Sequence, residues 1–328
     1  MGTVFVTGAT GVIGRALVTR MIERGDEVVA LARSDTSARA LADRGLRVAR
    51  GDITDEVALA RGMAGCDTAF NVAGVNTLCV SDPREMERAN IDGAVAAVRA
   101  AARAGVPRLV HTSSAATIGE PAGTVADEWT GHRGWYLSTY ERTKTEGERA
   151  AAIAAREIGQ DVVFVNPSSV QGPGRASGTG RLLLAFLDGR LRAFVDTHVS
   201  MVDIGDCVEG HLLAGQRGQA GERYLLSGIR FTVAEALALA AEIAGVQRRP
   251  RLVPRRFATI AGTAAEYAFR LRGRQPPVCR EMVRTLLHGH RYDGSRAERE
   301  LGVRYSDPRD TVRRTVEWAR SEGLLSTI

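Results

Sequence analysis

The start of the chain combines two patterns of apolar positions. An apolar run at residues 3–6 leads into a glycine-rich turn at 7–14, and Ile13, Leu17 and Met21 then recur every four residues. An apolar run followed by apolar residues on one helical face predicts a strand, a turn and an amphipathic helix.

Further apolar runs predict the other strands of a sheet, and they lie at residues 27–32, 46–48, 68–72, 108–111 and 161–165. The run at 27–32 is almost continuous, which is typical of a parallel strand covered by helices on both faces. Helical patterns separate the runs, among them an alanine-rich stretch at 91–104. Because strands alternate with helices, we predict an α/β fold with right-handed crossovers, a Rossmann-type doubly wound parallel sheet.

The second half of the chain has a different character. After residue 174, glycine and arginine interrupt the sequence, and helical segments are predicted at 182–187, 232–244 and 257–271. We expect residues 1–174 to form the nucleotide-binding Rossmann domain, with segments returning from the second half. Residues 175–328 are expected to form mainly a smaller C-terminal substrate lobe.

The glycine-rich turn after the first strand is the predicted phosphate site. Gly8 and Gly11 let the backbone approach a pyrophosphate, and Gly14 lets the helix lie close to the sheet. The N-terminus of the helix supplies amide donors and a favourable dipole. Because the turn follows a strand and precedes an amphipathic helix, it indicates dinucleotide binding.

The end of the second strand distinguishes between cofactors. A carboxylate there binds the ribose hydroxyl of NAD, whereas a basic residue accommodates the 2′-phosphate of NADP. The chain has Arg33 at this place, and its first carboxylate comes at Asp35. Arginine binds a phosphate through paired charge-assisted hydrogen bonds, so we predict NADP(H) rather than NAD(H). Asp52 is placed to accept from the adenine amino group, with Ile53 against the ring.

The only lysine of the chain, Lys144, lies four residues after Tyr140. Residues at this spacing share one face of a helix. Lysine carries a compact ammonium, whereas the wide planar fork of arginine does not fit between a phenol and a ribose. In a chain that otherwise uses arginine, this spacing marks a candidate catalytic pair.

Size and charge narrow the class of protein. With 328 residues and 44% hydrophobic content, the chain can bury a sizeable core. The net charge is +6, but only 5% of residues are aromatic and no nucleic-acid module is recognisable, so we expect a smaller anion as partner and no nucleic acid. No long apolar run and no signal-like leader are present, which predicts a cytoplasmic protein without membrane contact.

The cysteines and histidines give no metal-ligand pattern. The scattered cysteines lack a CxxC spacing, which favours reduced buried thiols over disulfides or a zinc site, and they are Cys66, Cys79, Cys207 and Cys279. His288 and His290 are close in sequence, but a helix would place them on different faces. We therefore expect no metal.

Taken together, these features resemble the extended short-chain dehydrogenase/reductase family, the NAD-dependent epimerase/dehydratase family, over essentially the whole chain. The matching segments are TGATGVIG at 7–14, GDI at 51–53, NVAG at 71–74, ANIDG at 89–93, TSSAA at 112–116, YERTK at 140–144 and NPSSVQGPG at 166–174. Later segments are similar to the branch that contains dihydroflavonol reductases and hopanoid-associated sugar epimerase-like proteins, and they are MVDIGDCVEGH at 201–211, GERYLLSG at 221–228 and YDGSRAERELGV at 292–303.

The resemblance implies Ser114, Tyr140 and Lys144 as the catalytic residues. Tyr140 would give a proton to the carbonyl oxygen while hydride reaches the carbon. Lys144 would lower the pKa of that phenol and hydrogen-bond the nicotinamide ribose, and Ser114 would donate to the carbonyl oxygen. Ser113 is the alternative to Ser114, because only the structure decides which of the two faces the pocket.

The resemblance also implies the remaining cofactor contacts, which are Thr10, Val12, Ile13, Val72, Ala73, Pro167, Ser169 and Val170. Asn90 is expected to hold the active-site helix in place. Tyr136 has no lysine four residues further on, so we expect it to pack rather than to act as the acid. Related proteins often carry a tyrosine at Ile118 and a histidine at Asp203, and these departures bear on the substrate more than on the chemistry.

We therefore expect an enzyme, an NADPH-dependent reductase that converts a ketone or aldehyde of a small organic substrate to an alcohol. One alternative is a nucleotide-sugar epimerase with tightly bound NAD, which the lack of an acidic residue at Ala32 disfavours. A dehydratase is disfavoured because Ala115 and Ala116 follow Ser114. Another alternative is a non-catalytic dinucleotide-sensing protein, although such proteins tend to lack the tyrosine and lysine that this chain retains. A homodimer built on a four-helix bundle is also compatible with the family.

Overall fold

The structure is a computed structural model and describes residues 2–276 and 278–325. Its strands are β1 (Thr3–Thr7), β2 (Glu27–Ala32), β3 (Arg47–Arg50), β4 (Thr68–Asn71), β5 (Arg108–Thr112), β6 (Asp161–Pro167), β7 (Ser169–Gln171), β8 (Ala193–Phe194), β9 (His198–Asp203), β10 (Arg223–Leu226), β11 (Ile229–Thr232) and β12 (Arg251–Leu252). Its helices are α1 (Val12–Glu23), α2 (Asp35–Ala42), α3 (Glu56–Met63), α4 (Arg84–Glu87), α5 (Gly93–Ala104), α6 (Thr139–Ile158), α7 (Thr179–Leu187), α8 (Ile204–Arg217), α9 (Val233–Ala244), α10 (Arg255–Arg270), α11 (Arg280–His288) and α12 (Pro308–Ser321).

Seven parallel strands form the central sheet, in the order β10-β6-β5-β4-β1-β2-β3. This order confirms the predicted doubly wound Rossmann-type sheet. The chain leaves β1 in one direction through β2 and β3 and in the other through β4, β5 and β6. Ligands of such sheets bind beyond the carboxyl ends of the strands where the order reverses, which here is the gap between β1 and β4.

Both faces of the sheet are covered by helices, which explains the almost continuous apolar strands. On one face, α1 and α8 pack over the sheet, and Val6 and Leu17 are fully buried there. On the other face, α3, α5 and α6 pack together over Phe5, Leu59 and Leu109, which are also fully buried. Many small alanines on α5 let these helices approach closely.

The second half of the chain supplies a smaller lobe and one strand of the large sheet. Strand β10 pairs with β6, so the chain returns to the Rossmann sheet before the lobe is complete. Leu184 of α7, Leu237 of α9 and Val316 of α12 pack in a separate core. The start of α9 is fixed by Thr232 and Glu235, whose side chains each accept from the other's backbone amide. None of the described helices has the length and apolar character needed to cross a bilayer.

The prediction that all cysteines are reduced thiols is wrong for two of them. Cys79, in the loop after β4, and Cys279, which caps α11, form a disulfide with a Cα–Cα distance of 5.7 Å. Cys66 and Cys207 are buried free thiols, as expected. The paired residues are 200 positions apart, so only the tertiary packing of α11 against the loop after β4 brings them together.

Candidate active site and dinucleotide cleft

Tyr140 and Lys144 project from the first turns of α6 towards the end of β5. The helix begins at Thr139 because the side chain of Ser138 accepts from the amide of Glu141 at 3.0 Å. Ser114 lies just beyond β5, where its Oγ accepts from the amide of Ala116 at 3.2 Å. The Ser114 hydroxyl lies close enough to Tyr140 to lower the pKa of the phenol. The structure therefore brings the three predicted catalytic residues to one place.

Lys144 is almost fully buried, with 6% of its surface exposed. Its ammonium donates to the carbonyl oxygen of Thr112 at 2.9 Å. Burial lowers the pKa of Lys144 to about 8, and the negative charge of Glu148 opposes this shift. A charged form of Lys144 at neutral pH therefore depends on its few polar neighbours.

The pKa of Tyr140 does not follow the sequence-based expectation. Burial raises it above its usual value, and the groups that oppose the rise are Ser114, by a hydrogen bond, and Arg175, by its charge. The expectation that Lys144 lowers this pKa is wrong for this structure, because the ammonium is directed at Thr112 instead. Arg175 was not singled out from the sequence. This residue follows the segment at 166–174, and no helical or strand spacing relates it to Tyr140.

Several buried polar atoms around the cleft have no hydrogen-bond partner among the described residues. They lie at or beyond the ends of β5, β6 and β7, and they are Ser113 Oγ, Ser168 Oγ, Gln171 Oε1 and Arg175 Nε. Buried polar groups without partners are rare in proteins, and a polar ligand is one way to complete them. The two candidate serines have different surroundings. Ser113 Oγ has no partner among the described residues, whereas Ser114 lies close enough to Tyr140 to lower its pKa.

The glycine turn between β1 and α1 is packed too tightly for side chains. A Cβ on Gly14 would lie 2.1 Å from the carbonyl oxygen of Gly8, and one on Gly8 would lie 2.7 Å from the amide nitrogen of Ala73. Thr7 Oγ1 accepts from the amides of Val72 and Ala73 at 3.0 Å each, which fixes the loop after β4 beside the turn. Gly11 precedes α1 without capping it by a side chain, so the first amides of the helix are free to bind an anion.

A second arginine, Arg50, lies near Arg33 at the end of β2. The side chain of Arg33 is 70% exposed and lies 3.8 Å from Glu85. Arg50 donates to the carbonyl oxygen of Ser34 at 2.6 Å, and it also pairs with Asp35. The sheet register places Arg50 opposite Ala32, at the end of β2. Sequence reasoning missed Arg50 because its place next to Ala32 depends on the register of β3.

Asp52 is already hydrogen-bonded within the protein. Its carboxylate accepts from the amide and hydroxyl of Thr54 at 3.1 and 2.8 Å and from Arg88 at 3.1 Å. Although burial alone would raise the pKa of Asp52, these contacts hold it below its usual value. Ile53 lies against α5, where a Cβ on Gly93 would be 2.8 Å from its side chain. Asp52 thus accepts hydrogen bonds as an anion.

Asn90 and Tyr136 are placed as the sequence suggested. Asn90 Nδ2 donates to the carbonyl oxygen of Val75 and to Thr143 Oγ1, both at 3.0 Å, which ties the loop after β4 to α6. The ring of Tyr136 packs edge-on against His132, with centroids 5.3 Å apart. Asn90 therefore holds α6 against the loop after β4, and Tyr136 packs just before that helix.

The two residues that depart from the family pattern both make contacts within the protein. Ile118 belongs to a small buried cluster with Ala115, Ala126, Leu225 and Tyr292. Asp203 caps α8, where it accepts from the amide of Gly205, and it pairs with Arg314 at 2.7 Å.

The remaining cofactor candidates divide into exposed and buried positions. Thr10 is exposed at the tip of the glycine turn, and Val12 and Ile13 are half-buried in the first turn of α1. Pro167 ends β6, and Ser169 hydrogen-bonds Thr179 at 2.9 Å. Val170 packs in the apolar core beneath the cleft. Pro167 and Ser169 therefore stand at the edge of the cleft, and Val170 lies under it.

His288 and His290 do not lie on opposite faces of a helix, because α11 ends at His288. Gly289 follows with a φ of 72°, and the two rings are 5.2 Å apart. His290 Nδ1 is 2.7 Å from Glu120 Oε1, and His288 Nε2 is 3.1 Å from the carbonyl oxygen of Glu120. Burial favours a higher pKa for Glu120, but the hydrogen bonds from the two histidines lower it to about 2.

Among the described residues, this histidine–glutamate group is the one arrangement able to hold a metal ion. The hydroxyl of Tyr292 donates to the second carboxylate oxygen of Glu120 at 3.1 Å. Both carboxylate oxygens of Glu120 therefore already have hydrogen-bond partners, His290 for one and Tyr292 for the other. The group is satisfied without an ion.

The glycine turn lies at the switch point of a parallel sheet. A serine follows β5, and a tyrosine and a lysine face it from α6. This arrangement defines an oxidoreductase that uses a nicotinamide dinucleotide. The model of the NAD-dependent epimerase/dehydratase family matches residues 4–227. The chain therefore belongs to this family.

Relatives that match nearly the full chain carry reductase and demethylase names. The chain is 35% identical to sterol demethylase protein B of Methylococcus capsulatus over 98% of this chain and 100% of the relative. It is 33% identical to a putative dihydroflavonol 4-reductase of Synechocystis, over 98% and 96% of the two chains. The crystal structure of gox2253 superimposes with a TM-score of 0.85 at 30% identity, over 98% of this chain and 99% of the other. The UDP-glucose 4-epimerase of Thermotoga maritima, at 20% identity over 98% and 99% of the chains, shares the fold with a TM-score of 0.78.

Proposed function

We propose that this protein is an NADPH-dependent reductase that transfers hydride to a ketone or aldehyde of a small organic substrate. The observation that carries the proposal is the environment of Tyr140. Burial raises its pKa above the usual value, and Ser114 and the positive charge of Arg175 oppose this rise. These two neighbours favour the phenolate that remains after Tyr140 gives its proton to a carbonyl oxygen, which suits a proton donor.

The residues present fit a nicotinamide dinucleotide. The glycine cradle and the free amides of α1 would hold the pyrophosphate. Arg33 and Arg50, at the end of β2, would bind the 2′-phosphate of NADPH. Lys144, which already lies between the ends of β4 and β5, would bind the ribose hydroxyls. When bound, NADPH supplies the hydride.

The chain's own residues would then handle the charge on the carbonyl oxygen. Ser114 would donate a hydrogen bond to that oxygen and stabilise its developing charge. Tyr140 would donate the proton, and the positive charge of Arg175 would stabilise the phenolate that is left. Preorganised donors of this kind typically contribute several kcal/mol to the stabilisation of a transition state.

The names of the relatives support reduction. Besides the putative dihydroflavonol 4-reductase, a ketoreductase of Stigmatella aurantiaca is 31% identical over 91% of this chain. An epimerase is the competing proposal, but the epimerase structures are less than 25% identical and support the fold alone. In this chain the first carboxylate after β2, Asp35, is paired with Arg50 and is not free to bind a ribose.

Binding isotherms for NADPH and NADH on protein freed of nucleotide would test the proposal. A preference for NADPH of tenfold or more, about 1.4 kcal/mol, is expected. Oxidation of NADPH by a panel of ketones and aldehydes should follow. Protein that is purified with tightly held NAD, or that prefers NADH, would instead support the epimerase.

A further inference from the structure

Arg175 is a cation at the edge of the cleft for which the described part of the chain provides no counter-ion. It lies in the loop between β7 and α7, and its Nε is buried without a hydrogen-bond partner. Two arginines in and before α6 have carboxylate partners, Arg142 with Glu87 and Arg133 with Glu141. Arg175 therefore stands apart from the surface arginines of this arginine-rich chain.

The position of Arg175 is determined by two glycines. A Cβ on Gly180 would lie 2.2 Å from the carbonyl oxygen of Arg175 and 2.9 Å from its Cγ. A Cβ on Gly178 would lie 3.0 Å from Arg175 Nη2. The amide of Arg175 also donates to the carbonyl oxygen of Gly172 at 3.2 Å, which closes a turn. The stem and the guanidinium are thus packed against the start of α7.

The guanidinium is close enough to Tyr140 for the two groups to interact. Its charge lowers the pKa of the phenol, and a phenolate would in turn raise the pKa of Arg175, which burial lowers. Tyr140 marks the position of the substrate oxygen in the proposed reaction. A substrate group bound by Arg175 would therefore lie on the side of the cleft where Tyr140 is.

We propose that Arg175 binds a carboxylate of the substrate, so that the natural substrates are oxo acids. The inference rests on the proposed reductase function and names its substrate class. A half-buried cation without a counter-ion is unfavourable, and a bound carboxylate would supply the missing charge. The planar fork of arginine matches the two oxygens of a carboxylate. The net charge of +6 would also attract an anionic substrate.

The test compares acids with their neutral esters. Calorimetry on the complex with NADP⁺ measures the binding of lactate, 3-hydroxybutyrate and 3-hydroxy-3-phenylpropanoate, each against its methyl ester. Arg175→Met keeps the stem and removes the charge, and Arg175→Lys keeps a charge without the fork. Arg181→Met is the matched control, because Arg181 is exposed on α7.

For the wild-type protein we expect at least one acid to bind about tenfold or more tightly than its ester. Arg175→Met should abolish this preference while changing the affinity for the ester and for NADPH by less than about twofold. Arg175→Lys should retain part of the preference, and Arg181→Met all of it.

Three results would overturn the inference. They are equal binding of acids and esters by the wild-type protein, equal loss for both ligands in Arg175→Met, and weaker NADPH binding in that variant. Binding is read without turnover, so failure of the reductase proposal is separable. A wild-type protein that oxidises NADPH with neutral ketones but binds acids and esters equally would be a reductase whose substrate is not an acid. A protein that binds acids through Arg175 but never oxidises NADPH would support the carboxylate site and contradict the reductase proposal.

Discussion

The side chain of Ser114 lies close enough to Tyr140 to lower the pKa of the phenol, although Ser114 follows a strand and Tyr140 lies in the first turn of α6. The two elements meet because α6 packs against the short helical turn at Ala115–Ile118. In the proposed reaction, Ser114 would donate a hydrogen bond and Tyr140 a proton to the same substrate oxygen.

Replacing Tyr140 by phenylalanine should abolish most of the activity. The change removes one oxygen, so we expect kcat for carbonyl reduction to fall by about a hundredfold or more, while the affinity for NADPH changes by less than about twofold. Steady-state kinetics and NADPH titration check this. Tyr136→Phe is the matched control, because its ring packs against His132 and should leave kcat nearly unchanged. Undiminished turnover in Tyr140→Phe would rule out the proton-donor assignment.

The preference for NADPH should depend on Arg33. A charge-assisted hydrogen bond typically contributes about 1.5 to 3 kcal/mol, but the side chain is largely exposed, so Arg33→Ala should weaken NADPH about tenfold at most. The affinity for NADH should stay within about twofold, since NADH has no 2′-phosphate. Fluorescence titration with both nucleotides measures the difference. Arg39→Ala, an exposed change on α2, serves as the control. Equal losses for both nucleotides in Arg33→Ala would contradict the 2′-phosphate role.

Periodicity was sufficient to predict six of the seven strands, because most of them are largely buried. It did not predict β10, and the edge strand β3 is only partly buried. The run predicted at 161–165 became β6 (Asp161–Pro167), and the helix predicted at 232–244 became α9 (Val233–Ala244). The helix predicted at 91–104 begins two residues later, because Arg88–Asp92 forms a π-helical turn that no apolar pattern marks.

The features that the sequence did not reveal all depend on tertiary contacts. Arg50 reaches the cofactor end of β2 through the register of β3, and Arg175 reaches Tyr140 through a loop after β7. His288 and His290 meet at Glu120 because α11 stops at a glycine. None of these contacts has a local spacing that could be found in one sequence.

The disulfide should be measurable by counting thiols. The chain has four cysteines. Under denaturing conditions without reductant, we expect two reactive thiols, from Cys66 and Cys207, and with a dithiol reductant all four. Four thiols before reduction would show that the bond does not form.

Loss of the disulfide should also lower stability. Removing a crosslink that closes a long loop typically costs about 2 to 5 kcal/mol. We expect Cys79→Ser with Cys279→Ser to unfold at a lower urea concentration than the oxidised wild-type protein. Reduced wild-type protein is the matched control, because its thiols keep the same packing. Equal midpoints for the oxidised and the reduced wild-type protein would show that the bond contributes nothing.

Lys144 should lower the free energy of unfolding of the cofactor-free protein, because folding buries its ammonium. Burial lowers its pKa to about 8, whereas an unfolded lysine titrates near 10.5. The unfolded chain therefore binds this proton more tightly. The cost is complete below about pH 8 and disappears as the pH rises towards 10.5. The two pKa values correspond to about 3 kcal/mol.

The variant Lys144→Met keeps an apolar stem and removes the charge. At pH 7 we expect it to be about 2 kcal/mol more stable than the wild-type protein in urea unfolding, after about 1 kcal/mol is subtracted for the lost hydrogen bond to Thr112. The advantage should shrink when the unfolding is repeated near pH 10, because the wild-type lysine is then neutral in the folded state. The same variant should bind NADPH more weakly, since the ribose loses a donor. An advantage that does not change with pH would show that the buried charge is not its cause.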